Sequence, residues 1–189
     1  MKKKVEIVTK GFAPRKSPGD GRIRDAPNVG RELLFLLAKI VGIVFAFVLI
    51  FTVLFGIIRY DDASMHPAIR EGDLVMFYRF NKDYVANDVI ALKYQGKIQI
   101  RRVVAVEGDE VDVKEGDLYI NESRQTETGI YEETQRFDIG VEFPLRLKEG
   151  QIFVLGDSRE SSIDGRMYGA VNAEDTLGSV MTVIRRRGF

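Results

Sequence analysis

The sequence predicts a mainly β protein, an antiparallel, β-rich domain carried behind one N-terminal membrane-spanning helix. Three observations predict it: an uncharged apolar run over 40–58, a series of short β-favouring runs after it, and a scarcity of helical periodicity in that second part. At 189 residues the chain has room for one ordinary domain and an accessory segment.

Taken in order, residues 1–32 place Gly11, Pro14, Pro18, Gly19, Gly21 and Pro27 among charges without apolar periodicity, which predicts a disordered basic tail. Residues 33–58 are apolar except for Lys39, and the 19 residues from Ile40 carry no charge. At about 1.5 Å per residue these 19 give roughly 28 Å of helix, close to the hydrocarbon thickness of a bilayer. A buried core helix would show a polar stripe, and a cleaved signal peptide would be shorter and followed by a small-x-small site; the run has neither feature. Residues 1–39 hold ten Lys and Arg against four Asp and Glu, which leaves 18 and 24 of the 28 of each kind for the rest. A basic flank before the span and an acidic domain after it predict a single-pass protein of the cell membrane, with a cytoplasmic N-terminus and an extracytoplasmic C-terminal domain. The balanced total argues against a nucleic-acid partner, and membrane lipid is the expected surroundings of the span. Without cysteine and with one histidine, neither disulfides nor a zinc site are expected, and no cofactor or metal is called for.

Residues 59–189 form the expected extracytoplasmic domain. Its β-favouring runs cover 73–80, 88–94, 97–106, 110–113, 118–120, 152–155 and 178–186. Tyr94-Gln95-Gly96-Lys97 and Lys114-Glu115-Gly116-Asp117 read as hairpin turns, with glycine supplying a positive φ. Between 121 and 150 the pattern weakens into Thr, Glu and Gln, which predicts an inserted or accessory segment. Phe77, Tyr78 and Phe80 divide between the core and an interfacial aromatic belt, with at least one expected inside.

Three clusters carry candidate chemistry. Ser64-Met65-His66-Pro67 lies six residues beyond the span, ahead of Gly72-Asp73. Arg101-Arg102 sits in an apolar strand that ends at Gly108-Asp109. The segment from Gly156 to Arg166, directly after the strand 152–155, holds two aspartates and two arginines among serines, which suits a fixed network of ion pairs and hydrogen bonds.

In this order the clusters resemble the type I signal peptidases, membrane-bound serine endopeptidases that remove signal peptides from exported proteins. The family's Ser-Met-x-Pro box is matched by Ser64, Met65 and Pro67. Its Gly-Asp-Asn-Arg-Asp-Asn-Ser-x-Asp-Ser-Arg box is matched by Gly156, Asp157, Arg159, Ser162, Asp164 and Arg166, with Ser158, Glu160, Ser161 and Gly165 as near substitutions. The resemblance implies a β-rich catalytic domain at the membrane, a Ser/Lys dyad with Ser64 as nucleophile, exported preproteins bound as extended strands, and backbone donors for the oxyanion.

Two positions depart from that pattern. Alignment on Arg102 and Gly108-Asp109 places the dyad lysine at Arg101, whose guanidinium stays charged and cannot take a proton from serine. The oxyanion region, two residues before Ser64, holds Asp62, a carboxylate that would repel a developing oxyanion unless turned away. Asp157, Ser162, Asp164 and Arg166 are expected to hold the domain together rather than to act as a base, and Met65, Pro67, Arg102 and Arg159 to support the site with them. Two functions therefore stay open on one scaffold: an endopeptidase for preproteins, or a non-catalytic chaperone or assembly factor for secreted or pilus subunits. Self-cleaving repressors sharing the Ser/Lys fold are disfavoured by the membrane span.

Overall fold

The structure, a computed structural model, describes residues 29–185; the expected tail over 1–28 and the basic end Arg186-Arg187 lie outside the described residues. The chain divides into two units, Met1–Gly42 and Ile43–Phe189, and both sheets belong to the second.

The apolar run forms helix α1, Val29–Leu54, none of whose residues is buried. Its 26 residues rise about 39 Å, more than the roughly 30 Å of hydrocarbon in a bilayer. It is the one helix among the described residues long and apolar enough to cross a membrane. Both expected boundaries shift by four residues: Val29 to Glu32 are helical rather than tail, and Phe55 to Ile58 are strand rather than span. The second shift has a packing cause. Phe55–Arg59 is strand β1, whose residues pair antiparallel with the next strand, Phe55 opposite Tyr78 and Arg59 opposite Leu74. Gly56 admits the Phe77 ring to within 2.2 Å of where a Cβ would stand. The same glycine would cost a helix about 1 kcal/mol.

The remaining strands are β2 (Leu74–Tyr78), β3 (Val89–Tyr94), β4 (Lys97–Ala105), β5 (Glu110–Lys114), β6 (Asp117–Ile120), β7 (Ser123–Arg124), β8 (Leu145–Arg146), β9 (Gln151–Leu155), β10 (Val171–Asn172) and β11 (Gly178–Ile184). A four-residue helix, α2 (Gly165–Tyr168), follows β9. All pairings are antiparallel. One sheet has the order β1-β2-β11-β3-β4-β9-β10 and the other β7-β6-β5-β8. Both expected hairpin turns form, with Gln95, Gly96, Glu115 and Gly116 at positive φ. The weakly patterned 121–150 segment supplies β7 and β8 to the second sheet.

β9 carries the unbroken apolar run Ile152–Leu155 because it lies inside its sheet, between β4 and β10, and is covered on both faces; all four residues are buried. Phe153 and Leu155 pack with Val111, Val113, Leu118 and Leu147, which joins the two sheets into one core. Val75, Phe77, Ala91 and Ile100 form a second cluster that also takes in Met65 and Ile69 from the loop after β1. Burying a side chain such as Met65 contributes about 1.5–3 kcal/mol, so the serine-bearing loop is anchored by its own next residue. Of the three aromatic residues divided between core and interface, Phe77 is fully buried and Phe80 is exposed.

Candidate active site

Ser64 lies in the loop 60–73, pinned at both ends by backbone bonds from Tyr60 N to Asp73 O (2.8 Å) and from Gly72 N to Tyr60 O (2.7 Å). The loop also closes on itself through Ile69 N to Met65 O (2.9 Å). Ser64 and Arg101 are each 1% exposed. Arg101 is on β4, where successive side chains point to opposite faces, so Arg101 and Arg102 serve different contacts.

Three side chains meet at the Ser64 hydroxyl. Arg101 Nη1 donates to Ser64 Oγ at 2.7 Å, Asp62 Oδ2 accepts from it at 2.7 Å, and Tyr60 Oη lies at 2.9 Å. A guanidinium only donates and a carboxylate only accepts. The Ser64 hydrogen therefore points at Asp62, both oxygen lone pairs are taken, and Tyr60 is the donor to the second of them. Asp62 is fixed in turn by the Ser64 backbone N–H on Oδ1 (3.0 Å) and by Arg101 Nη1 at 3.7 Å from Oδ2. The sequence expectation set Asp62 against an oxyanion unless turned away; its carboxylate is turned onto the serine hydroxyl instead.

Arg101 has little freedom. Its Nε and Nη2 both donate to Ile163 O (3.2 and 2.9 Å), and Nη1 also reaches Ile100 O at 2.6 Å. Lys97, the nearest lysine along the strand, is exposed, and His66 is exposed in the loop. Burial pushes the Tyr60 phenol above its ordinary range. Burial likewise raises the Tyr168 phenol, against the pull of the Arg101 charge. The Tyr168 hydroxyl has no hydrogen-bond partner among the described residues.

The 156–166 segment is the fixed network expected of it, and its side chains bond within the network rather than to Ser64 Oγ. Asp157 accepts two parallel bonds from Arg102, Nε at 2.8 Å and Nη2 at 2.6 Å. Asp164 is fully buried and accepts from Gly156 N (3.0 Å), Ser162 Oγ, and Arg166 N, Nε and Nη2. Arg159 donates to Gly156 O, Thr134 Oγ1 and Glu127 (2.5 Å), which ties the 121–150 segment to the loop. The loop meets the serine through backbone: Ser158 N donates to Ser64 O at 3.0 Å, and Ile163 O receives Arg101. A Cβ on Gly156 would stand 2.7 Å from Ser64 O, so glycine is what lets the two loops approach. Met65 is buried in the core and Pro67 is half-buried. Sequence reasoning missed Tyr60 and the carbonyl of Ile163, since neither a tyrosine four residues before a serine nor a backbone oxygen carries a motif.

Tyr60, Asp62 and Arg101 also line an open cleft of about 870 Å³, bounded by residues 58–63 on one side and by Tyr94, Lys97, Ile98 and Gln99 of the β3–β4 hairpin on the other. β1, which leads into this cleft, is an edge strand. No group of His, Asp and Glu among the described residues is arranged to hold a metal ion.

The sequence profile described as "Signal peptidase, peptidase S26" matches residues 33–184. Similar proteins include thylakoidal processing peptidase 1 of Arabidopsis thaliana, 34% identical over 62% of this chain and 38% of its own length. Signal peptidase I of Bacillus licheniformis is 29% identical over 68% of this chain and 75% of its own. A solved structure of a signal peptidase I from Enterococcus faecalis, 26% identical, covers 53% of this chain and 97% of its own at a TM-score of 0.44. The chain thus spans well under half the length of the plant relative and three-quarters of the bacterial one.

Proposed function

Because the chain belongs to the signal peptidase family, peptidase S26, we propose that it is a membrane-anchored serine endopeptidase that removes signal peptides from exported preproteins, with Ser64 as nucleophile. The single observation that carries the reading is the Ser64 hydroxyl, held by three cleft-lining side chains and with its hydrogen already directed to a carboxylate. A preprotein enters as an extended strand beside the edge strand β1, where main-chain bonds hold it and the β3–β4 hairpin faces it. Its carbonyl reaches Oγ when one lone pair is freed. The Tyr60 contact is the one to yield, since a neutral hydrogen bond contributes about 1 kcal/mol and a charge-assisted one roughly twice that. The basic flank before α1 and the acidic domain after it support an orientation with the domain outside the cell membrane.

One observation favours a second reading. Arg101 offers no proton-accepting nitrogen where the dyad has its amine, and Ser64 is buried. On that reading the cleft binds secreted or pilus subunits without cutting them. The full-length chain in detergent, given a preprotein whose signal ends in Ala-x-Ala, separates the two. Cleavage abolished by Ser64→Ala is the result expected; binding without cleavage, unchanged by Ser64→Ala, refutes the endopeptidase.

A further inference from the structure

We propose that Asp62 is the general base that activates Ser64, with Arg101 stabilising the alkoxide; the inference rests on the endopeptidase reading above. Its ground is the direction of one proton. Because Arg101 Nη1 occupies one lone pair of Oγ as a donor, and Asp62 Oδ2 at 2.7 Å only accepts, the serine hydrogen lies on the line to the carboxylate before any substrate arrives. That distance is within the reach required of a base. Asp62 does not wander, because its second oxygen holds the Ser64 N–H.

A carboxylate is a weak base for a hydroxyl, and the guanidinium answers that weakness. Arg101, almost fully buried and 2.7 Å from Oγ, favours the negatively charged form of the oxygen it touches. The two departures from the family pattern are therefore one exchange. A lysine at position 101 within salt-bridge distance of Asp62 would be kept protonated by that carboxylate and would fail as a base. Arginine, which never needs to lose its proton, is compatible with a carboxylate base, and an amine base is not. The other charged groups lining the cleft around Asp62 are Arg59, Asp61, Glu71 and Lys97, and the phenol of Tyr60 shares the same hydroxyl.

In the first step Oγ forms a bond to the scissile carbonyl carbon, the π pair moves to the carbonyl oxygen, and the Ser64 proton passes to Asp62 Oδ2. The C–N bond then breaks, and the leaving amine takes the proton from Asp62, which leaves an ester on Ser64 and an ionised carboxylate. Water repeats the cycle: its oxygen bonds to the carbonyl carbon as its proton goes to Asp62. Breakdown returns the electron pair and that proton to Oγ.

The test measures kcat/KM for the same preprotein with the full-length chain in detergent, alongside a thermal melt of each variant. Asp62→Asn is expected to lose about 10²- to 10⁴-fold, the usual size of a general-base contribution. Adding Arg101→Lys to Asp62→Asn is expected to recover much of that loss with an alkaline-shifted pH profile, because the base is then an amine free of the carboxylate. A purely structural role for Asp62 predicts neither the rescue nor the shift. If Asp62→Asn cleaves within about threefold of wild type while Ser64→Ala is inactive, the base assignment is overturned and the endopeptidase stands. If the wild type itself does not cut, both fall together. If Asp62→Asn is inactive at unchanged melting temperature and Arg101→Lys revives nothing, the assignment is overturned as well.

Discussion

Asp164→Asn keeps the size of the side chain and removes its charge at a position that is fully buried. In the wild type the two oxygens accept five hydrogen bonds, three from Arg166, one from Gly156 N and one from Ser162 Oγ. An amide keeps one accepting oxygen and turns its NH₂ toward groups that are themselves donors: Arg166 N and Nε if the nitrogen takes the Oδ1 place, or Arg166 Nη2, Gly156 N and Ser162 if it takes the Oδ2 place. Arg166, 1% exposed, is left with carbonyl acceptors at Gln135 and Arg159 and with the Phe137 face at 4.7 Å, but with no counter-charge. Removing one member of a buried pair costs about 3–5 kcal/mol. At roughly 2–4 °C per kcal/mol for a domain of this size, the melting temperature should fall by about 6–20 °C. Circular dichroism of the full-length chain in detergent reads it. A loss below about 1 kcal/mol, the worth of an exposed pair, would refute the claim that this buried pair holds the loop.

Gly156→Ala should cost about 1–3 kcal/mol and lower the cleavage rate, because the new Cβ would stand 2.3 Å from Ser162 Oγ and 2.7 Å from Ser64 O; melting curves and preprotein cleavage check it, and a rate equal to wild type would contradict it. Burial raises the Asp112 carboxyl, but the Lys114 hydrogen bond, the Val113 N–H and the charges of Lys114 and Arg136 outweigh it and hold the carboxyl below its ordinary range. A depressed folded pKa contributes stability above the unfolded carboxylate pKa, near 4, and loses it as pH falls through the folded value. The melting temperature should therefore drop on acidification below about pH 4, and Asp112→Asn should flatten that part of the curve.

The span and the two tight hairpins were legible because each depends on a local signal, an uncharged apolar run in one case and Gly96 or Gly116 in the other. β1 was not, because Phe55-Gly56-Ile57-Ile58 continues the apolar run, and hydrophobicity alone does not distinguish the last turn of a span from an edge strand. β7, β8 and β10 are two residues each, too short to show a period. The position of Arg101 opposite Ser64 follows from motif register. The direction of Asp62 follows only in part: its Oδ1 makes a local turn with the Ser64 N–H, but the Arg101 guanidinium that completes the arrangement comes from a strand 37 residues further on.

The division of labour inside the 156–166 loop explains where it departs from the family box. The groups that meet the site are backbone ones, Ser158 N on Ser64 O and Ile163 O on Arg101, while Asp157, Arg159, Asp164 and Arg166 fix that backbone from outside the site. Side chains at positions that only pass the backbone along are then free to change. Glu160 and Ser161 are exposed, whereas Ser158 is buried and its hydroxyl meets both Ser161 Oγ at 2.6 Å and the Glu132 carboxylate. Position 165 is different: a Cβ there would press on Val154 O at 2.8 Å and the Phe153 ring at 2.9 Å. Glycine at 165 is therefore matched to the phenylalanine that joins the two sheets. Restoring the family's serine at this one position should strain the core under the loop, whereas restoring the family's residue at the exposed position 160 should not.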